Sequence, residues 1–245
     1  MWDNAPMLRT VSNLLIGLSV VLILYGVVRY VLHLPVFSIH AVTLRETPKR
    51  VPVELIQRVV REQISGNFFT IDLNKTRAAI EQLPWVRQVS IRRIFPWSLE
   101  VQIEEHKALA KWNGKNLVNT FGEVFAEQTE QALPAFFGQP SSAAEMSRMY
   151  DKFSQDLMPI KLEVEQISLS PRYAWQIRLN NGIVLELGRE QMQQRLERFV
   201  SVYPYSLTAE KQNVMHVDLR YRNGFAAYLP NGLVAQSKQS SGNKV

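Results

Sequence analysis

The 245-residue chain contains no cysteine, so it has no disulfide framework and no thiolate metal site. An oxidising compartment would leave it chemically untouched. Histidine is scarce: His33, His40, His106 and His216 are the four, and none stands at metal-ligand spacing from another. The eleven glycines are scattered; Gly182 and Gly188 make no phosphate loop, and no Gly-x-Ser-x-Gly element is present. Glu104-Glu105-His106 could supply an acid and a base, but neighbours along a strand point to opposite faces, so a solvated strand end is expected. Long runs of like charge are missing too. Arg92-Arg93 and Lys49-Arg50 are pairs, which predicts a solvated basic surface and no nucleic-acid site, while the net charge of +6 suits anionic headgroups or acidic partners. Together these absences predict a protein that is not an enzyme and holds no cofactor and no metal.

Only one long hydrophobic run exists. Thr10 to Val28 carries no charged side chain, and the apolar character continues around Arg29 to Phe37. From Leu14 to Leu34 a helix would measure roughly 30 Å, about the hydrocarbon thickness of a bilayer. The rival reading, a cleaved signal peptide, needs a shorter run and a small-x-small site, and Leu34-Pro35-Val36-Phe37-Ser38 offers none. A retained membrane anchor is expected. Arg9 flanks one end and Arg29, His33 and Arg45 the other, so flanking charge decides orientation weakly. The bulk of the chain is expected outside the cytoplasm.

Beyond the anchor, some 200 residues allow one large or two small domains. The first stretch, 37–106, reads strand, helix, helix, strand, strand. A strand is expected within 38–45. Pro52 suits the first turn of a helix with Leu55, Ile56, Val59, Val60 and Ile64 at helical spacing, ended by Gly66-Asn67. Asp72 is the expected N-cap of a second helix, stopped by Pro84. Two strands follow, turning at Pro96-Trp97; Leu99, Val101 and Ile103 alternate with Glu100, Gln102 and Glu104.

The second stretch, 107–235, is richer in strands. Residues 142–157 form a helix with Met146, Met149, Tyr150 and Phe153 on one face. Between Trp175 and Leu187 lies a hairpin. A three-residue loop, Asn180-Asn181-Gly182, pairs Leu179 with Ile183 and Ile177 with Leu185, keeping one face apolar; a two-residue loop would mix the faces. Another helix carries Met192, Leu196, Phe199, Val200 and Tyr203 and stops at Pro204. A final hairpin pairs the alternating Val217, Leu219 and Tyr221 with Phe225, Ala227 and Leu229 around Arg222-Asn223-Gly224. Residues 236–245 are small and polar, an expected disordered tail. If 225–229 is the last strand, nothing folded follows to cover it. Its unpaired N–H and C=O groups could accept a strand from another protein, although edges are also simply tolerated.

Leu83-Pro84-Trp85-Val86-Arg87-Gln88-Val89-Ser90-Ile91-Arg92-Arg93-Ile94-Phe95-Pro96-Trp97-Ser98-Leu99-Glu100-Val101 resembles the signature of the bacterial FtsQ/DivIB cell-division family. So do Glu105-His106 with Ala110-Lys111-Trp112, Trp175-Gln176-Ile177 with Leu179-Asn180-Asn181-Gly182, and Val217-Asp218-Leu219-Arg220-Tyr221. The resemblance implies an α+β fold: a short cytoplasmic tail (1–10), a single transmembrane helix (11–35), a POTRA domain of β-α-α-β-β order (37–106), and a β domain with helices on one side (107–235). It implies a non-enzymatic divisome scaffold of the inner membrane, single-pass, with its bulk in the periplasm and enriched at the septum. It further implies that FtsB and FtsL bind the β domain by strand addition, and that the POTRA region meets other division proteins such as FtsK. Carried over by position, Arg220, Tyr221, Asn223 and Gly224 fall at the turn, and Phe225, Ala226, Ala227, Tyr228 and Leu229 on the accepting strand. Arg172 falls where the family places a basic residue facing an acidic partner side chain. Leu229 stands where some members have Trp. Two other readings stay open: a POTRA-type chaperone-like factor for outer-membrane assembly or secretion, and a membrane-bound cell-wall enzyme.

Overall fold

The computed structural model describes residues 5–63, 66–206, 214–221, 224–229 and 232–234. The chain divides into two compact units at His106/Lys107.

The first unit begins with helix α1, Ala5–Leu32, which is long and apolar enough to cross a membrane. Its large apolar side chains are exposed on all sides, with Leu14 at 68% and Ile23 at 66%, surface that water would not tolerate in a monomer. A short turn, Pro35–Phe37, leads to β1, Ala41–Leu44. Helices α2, Val53–Gln63, and α3, Leu73–Glu81, precede β2, Val86–Ile94, and β3, Ser98–Glu105. Asp72 caps α3 as the sequence predicts, its carboxylate accepting from the Asn74 and Lys75 N–H groups. The strand expected within 38–45 is confined to four residues, Ala41 to Leu44, which stand in parallel register with Ser98 to Val101.

The three strands lie in the order β1-β3-β2, with β1 parallel and β2 antiparallel to β3. Ile56, Val60, Ile80, Val86, Val89 and Val101 make the core. Glu105 is not a loose strand end. Its carboxylate accepts from the N–H groups of Lys49 (3.0 Å), Arg50 (2.8 Å) and Val51 (2.9 Å), satisfying the loop that enters α2.

The second unit is one ten-stranded sheet with two helices packed together on it. Its strands are β4 (Ala108–Trp112), β5 (Asn116–Asn119), β6 (Val124–Phe125), β7 (Ala135–Phe137), β8 (Val164–Leu169), β9 (Trp175–Leu179), β10 (Val184–Gly188), β11 (His216–Asp218), β12 (Ala226–Leu229) and β13 (Gly232–Val234). Spatially they run β13-β12-β11-β10-β9-β8-β7-β4-β5-β6. The helices are α4, Ala143–Leu157, and α5, Met192–Ser206. Phe136, Met146, Phe153, Trp175, Ile177, Leu185 and Phe199 fill the space between helices and sheet, each nearly inaccessible. Pro204, expected to stop α5, lies inside its last turn.

The β9–β10 hairpin takes the three-residue loop: Ile177 pairs with Leu185, Leu179 N–H donates to Ile183 O, and Gly182 sits at φ +87°. The left-handed conformation is open to glycine without the penalty a Cβ brings.

Candidate partner-binding site

Strands β10 and β11 are parallel, joined through α5, with Leu185 beside Val217 and Glu186 beside Asp218. This brings the end of β10 and the end of β11 to one rim of the sheet. Val217 then pairs with Ala227 on the antiparallel β12, and both side chains are buried, as the alternation requires. On the other face His216 and Tyr228 stack edge-on at 5.5 Å, and Tyr228 keeps 41% of its surface open.

The rim is built around Asp218. Arg220 donates to it three times: backbone N–H and Nε to Oδ1 at 3.0 and 2.9 Å, Nη2 to Oδ2 at 2.7 Å. Those bonds, the side-chain one foremost, hold the Asp218 carboxyl below its ordinary value although partial burial pushes the other way. The Arg220 guanidinium, anchored on one edge, remains mostly exposed. The aliphatic stem of Arg220 lies over Gly188, which has φ +76°; a Cβ there would meet Arg195 Nη1 at 2.8 Å and Arg220 Cγ at 3.2 Å. The left-handed backbone at Gly188 favours glycine, and its missing Cβ leaves room for both arginine side chains.

Arg195 donates to Leu187 O at 2.6 Å and Arg198 to Tyr221 O at 3.2 Å, tying α5 to the same rim. Arg189 follows Gly188 and is exposed, and Arg172 is exposed in the loop that joins β8 to β9. The β9 strand starts opposite Gly188. The start of β9 and the end of β11, which Arg172 precedes and Arg220 follows, are two interstrand spacings, about 10 Å, apart along the rim. The result is a row of arginines suited to a carboxylate-bearing segment.

Of the residues singled out by sequence, Arg172, Arg220 and Tyr221 share this rim, and Gly224, Phe225, Ala226, Ala227 and Tyr228 lead into and along β12. Phe225 packs against the core and Tyr221 is half exposed. The backbone of Leu229 ends β12. Asn223, like the 236–245 tail, lies outside the described residues. The expectation that 225–229 ends the sheet uncovered is corrected: β13 pairs antiparallel with β12, Ala227 beside Val234 and Leu229 beside Gly232. Three residues after the Pro230 position were enough to fold back, a reversal that alternation patterns do not reveal. Arg189, Arg195, Arg198 and Asp218 were missed as site residues. The i, i+3 spacing of Arg195 and Arg198 was visible; Arg195 reaches the nearby Leu187 O, but the target of Arg198 lies beyond β11 and was hidden in a nonlocal parallel pairing.

Among the described residues no group of three or more His, Asp or Glu is placed to hold a metal ion. In the first unit, Ile39, His40, Ala41, Val42, Gln57 and Arg61 line a shallow cavity between β1 and α2.

Comparison with known proteins gives a consistent result. The family model described as cell division protein FtsQ/DivIB, C-terminal, matches residues 110–220, and that of the FtsQ-type POTRA domain matches residues 37–106. A cell division protein FtsQ from Nitrosospira multiformis is 41% identical over 232 residues, covering 93% of this chain and 98% of that protein. Those of Burkholderia pseudomallei and Neisseria gonorrhoeae are 34% and 33% identical, covering 92% and 95% of this chain and 93% and 97% of their own lengths.

Proposed function

Since this chain belongs to the FtsQ/DivIB family of cell-division proteins, we propose that it serves as a non-enzymatic divisome scaffold. On this reading α1 anchors it in the inner membrane, both folded units lie in the periplasm, and the protein concentrates at the division septum. FtsB, with FtsL, binds at the β12 end of the second unit; division proteins such as FtsK meet the first.

The observation that carries the reading is the way the sheet ends. Strand β12 is followed by only three residues of β13, and the row of arginines stands at the same end. A partner strand takes the place of β13 along Ala226 to Leu229. It gains main-chain hydrogen bonds from the strand, and acidic side chains on the part of the partner that continues across the rim meet Arg220 and Arg172. Confinement of both partners to one membrane raises their effective concentration, so a modest contact suffices.

The test uses the full-length protein in dividing cells, with a photo-crosslinking residue at Ala226 or Tyr228. Crosslinks to FtsB are expected, retained or strengthened when the chain is cut after Leu229, and weakened by Ala227→Pro, which removes a backbone donor. Loss of the crosslink on truncation would refute replacement of β13. Capture left unchanged by both Ala226→Pro and Ala227→Pro would refute strand addition.

A further inference from the structure

The link between α1 and the folded part of the first unit is not a free tether. Asn67 donates its side-chain amide to Leu32 O at 2.6 Å and Leu34 O at 3.1 Å, and the Phe68 N–H donates to Phe37 O at 2.8 Å. Asn67 is itself buried at 5% exposure, and its Oδ1 accepts from the N–H groups of Phe69 and Thr70. The last turn of α1 is thus clamped to loop 66–71. Around the clamp stands an aromatic cluster. Phe37 lies 5.1 Å from Trp97 and 5.3 Å from Phe69, Phe68 lies 5.5 Å from Trp97, and Phe95 packs on Trp97 at 5.7 Å. Trp97 sits at φ +61°, in the left-handed region, with its ring in this group. Arg93 closes the base, donating to Phe68 O and Ile71 O.

The outer face of the cluster is open: Phe95 is 77% exposed, Val36 71%, Phe69 45% and Ile94 43%. Lone apolar side chains at a surface are ordinary, but four from three separate segments around a buried clamp form a patch. Its depth follows from α1. The apolar span of α1 runs to Leu32, its last residue, so Leu32 stands at the edge of the hydrocarbon layer where the headgroups begin. The headgroup region on each side of a bilayer is about 5–7 Å thick. The carbonyl that Asn67 holds therefore lies at headgroup depth, and the patch with it.

We propose that this patch is a membrane-interface platform: Val36, Phe69, Ile94 and Phe95 seat in the headgroup region of the same bilayer that α1 spans, fixing the orientation of the first unit on the membrane. Aromatic rings suit that zone, and the apolar tips gain burial that water denies them. The strands run away from this end, since Ser98 and Ile94 stand beside it and Glu105 and Val86 at the other, about 25 Å along β3. The inference rests on α1 crossing a bilayer.

The absence of cysteine makes the test direct. Single-cysteine variants of the full-length protein, labelled with an environment-sensitive nitrobenzoxadiazole probe, are placed in nanodiscs of phosphatidylcholine and phosphatidylglycerol. The sites are Ile23→Cys in α1, Val36→Cys and Phe95→Cys in the patch, and Thr47→Cys at the far end of the unit. Val36→Cys and Phe95→Cys are expected to show blue-shifted emission quenched by headgroup-proximal spin labels, Ile23→Cys to be quenched by deep labels, and Thr47→Cys to respond to neither. A Phe69→Asp, Phe95→Asp pair added to Val36→Cys is expected to reduce its quenching. If Ile23→Cys is lipid-quenched while Val36→Cys and Phe95→Cys behave like Thr47→Cys, the platform is overturned though the anchor stands. If Ile23→Cys is not quenched, the anchor fails and the platform with it.

Discussion

Arg220 holds both carboxylate oxygens of Asp218, with Nε 2.9 Å from Oδ1 and Nη2 2.7 Å from Oδ2. The pair stiffens the exit of β11 two strands in from the end of the sheet, so its loss would be read as a loosened approach to β12.

The pair carries a pH signature. Asp218 is held below its ordinary value by Arg220, so its contribution is complete above about pH 4, the ordinary aspartate value, and disappears as pH falls through the folded value. Asp218→Asn in the full-length protein is expected to lower the melting temperature by about 2–4 °C at neutral pH, a screened pair being worth up to about 1 kcal/mol. That difference should close as the pH drops below 4. A constant difference down to acid pH would show that the carboxylate's charge is not what stabilises the turn.

Glu105 provides a second test. Removing it takes the acceptor from three backbone N–H groups, of which that of Val51 is partly buried and those of Lys49 and Arg50 reach water, and Glu105→Ala is expected to cost about 1–2 kcal/mol. Glu105→Gln keeps the oxygen that serves Arg50 and Val51 and is expected to fall between. Denaturant midpoints of the three proteins give the order.

The core of the second unit depends on Phe153, which meets Trp175 edge-to-face at 5.8 Å with both rings buried. Phe153→Ala is expected to destabilise by about 3–5 kcal/mol, since transfer and cavity costs add. Urea titration followed by tryptophan fluorescence measures it directly.

Asp156 has the opposite sign. Burial first and the neighbouring Glu197 second raise its carboxyl, and Oδ2 has no hydrogen-bond partner among the described residues. A raised carboxyl favours the fold only when protonated, an advantage lost as pH rises past the folded value. Asp156→Asn is expected to raise the melting temperature by about 1–3 °C at neutral pH and to make no difference below pH 4. A calorimetric scan at both pH values decides.

Much of the fold was legible wherever one residue's surroundings lie close in sequence. The Asp72 cap, the apolar stripe of α4 and the register of Ile177 against Leu185 all follow from spacing. What stayed hidden depends on distant partners. Nothing near Leu185 announces Val217 as its neighbour, and without that pairing Arg198 has no visible destination at Tyr221 O. The Asn67 clamp was hidden for the same reason: its acceptors lie more than thirty residues upstream. Pro204 shows the converse limit. A proline in the last turn of a helix removes a single donor, and packing of Phe199 and Tyr203 outweighs that loss.

The parallel pairing of β1 with β3 sets a timetable. Thr43 bonds Leu99 O across 56 residues, and β1 has no other strand partner among the described residues. At synthesis rates of about 5–20 residues per second, the strand next to the anchor waits about 3–11 s for its complement to be made. During that interval it is an open template close behind α1 in the chain. A chain that stalls before Val101 would keep it open, so the first unit closes only with the arrival of its last strand.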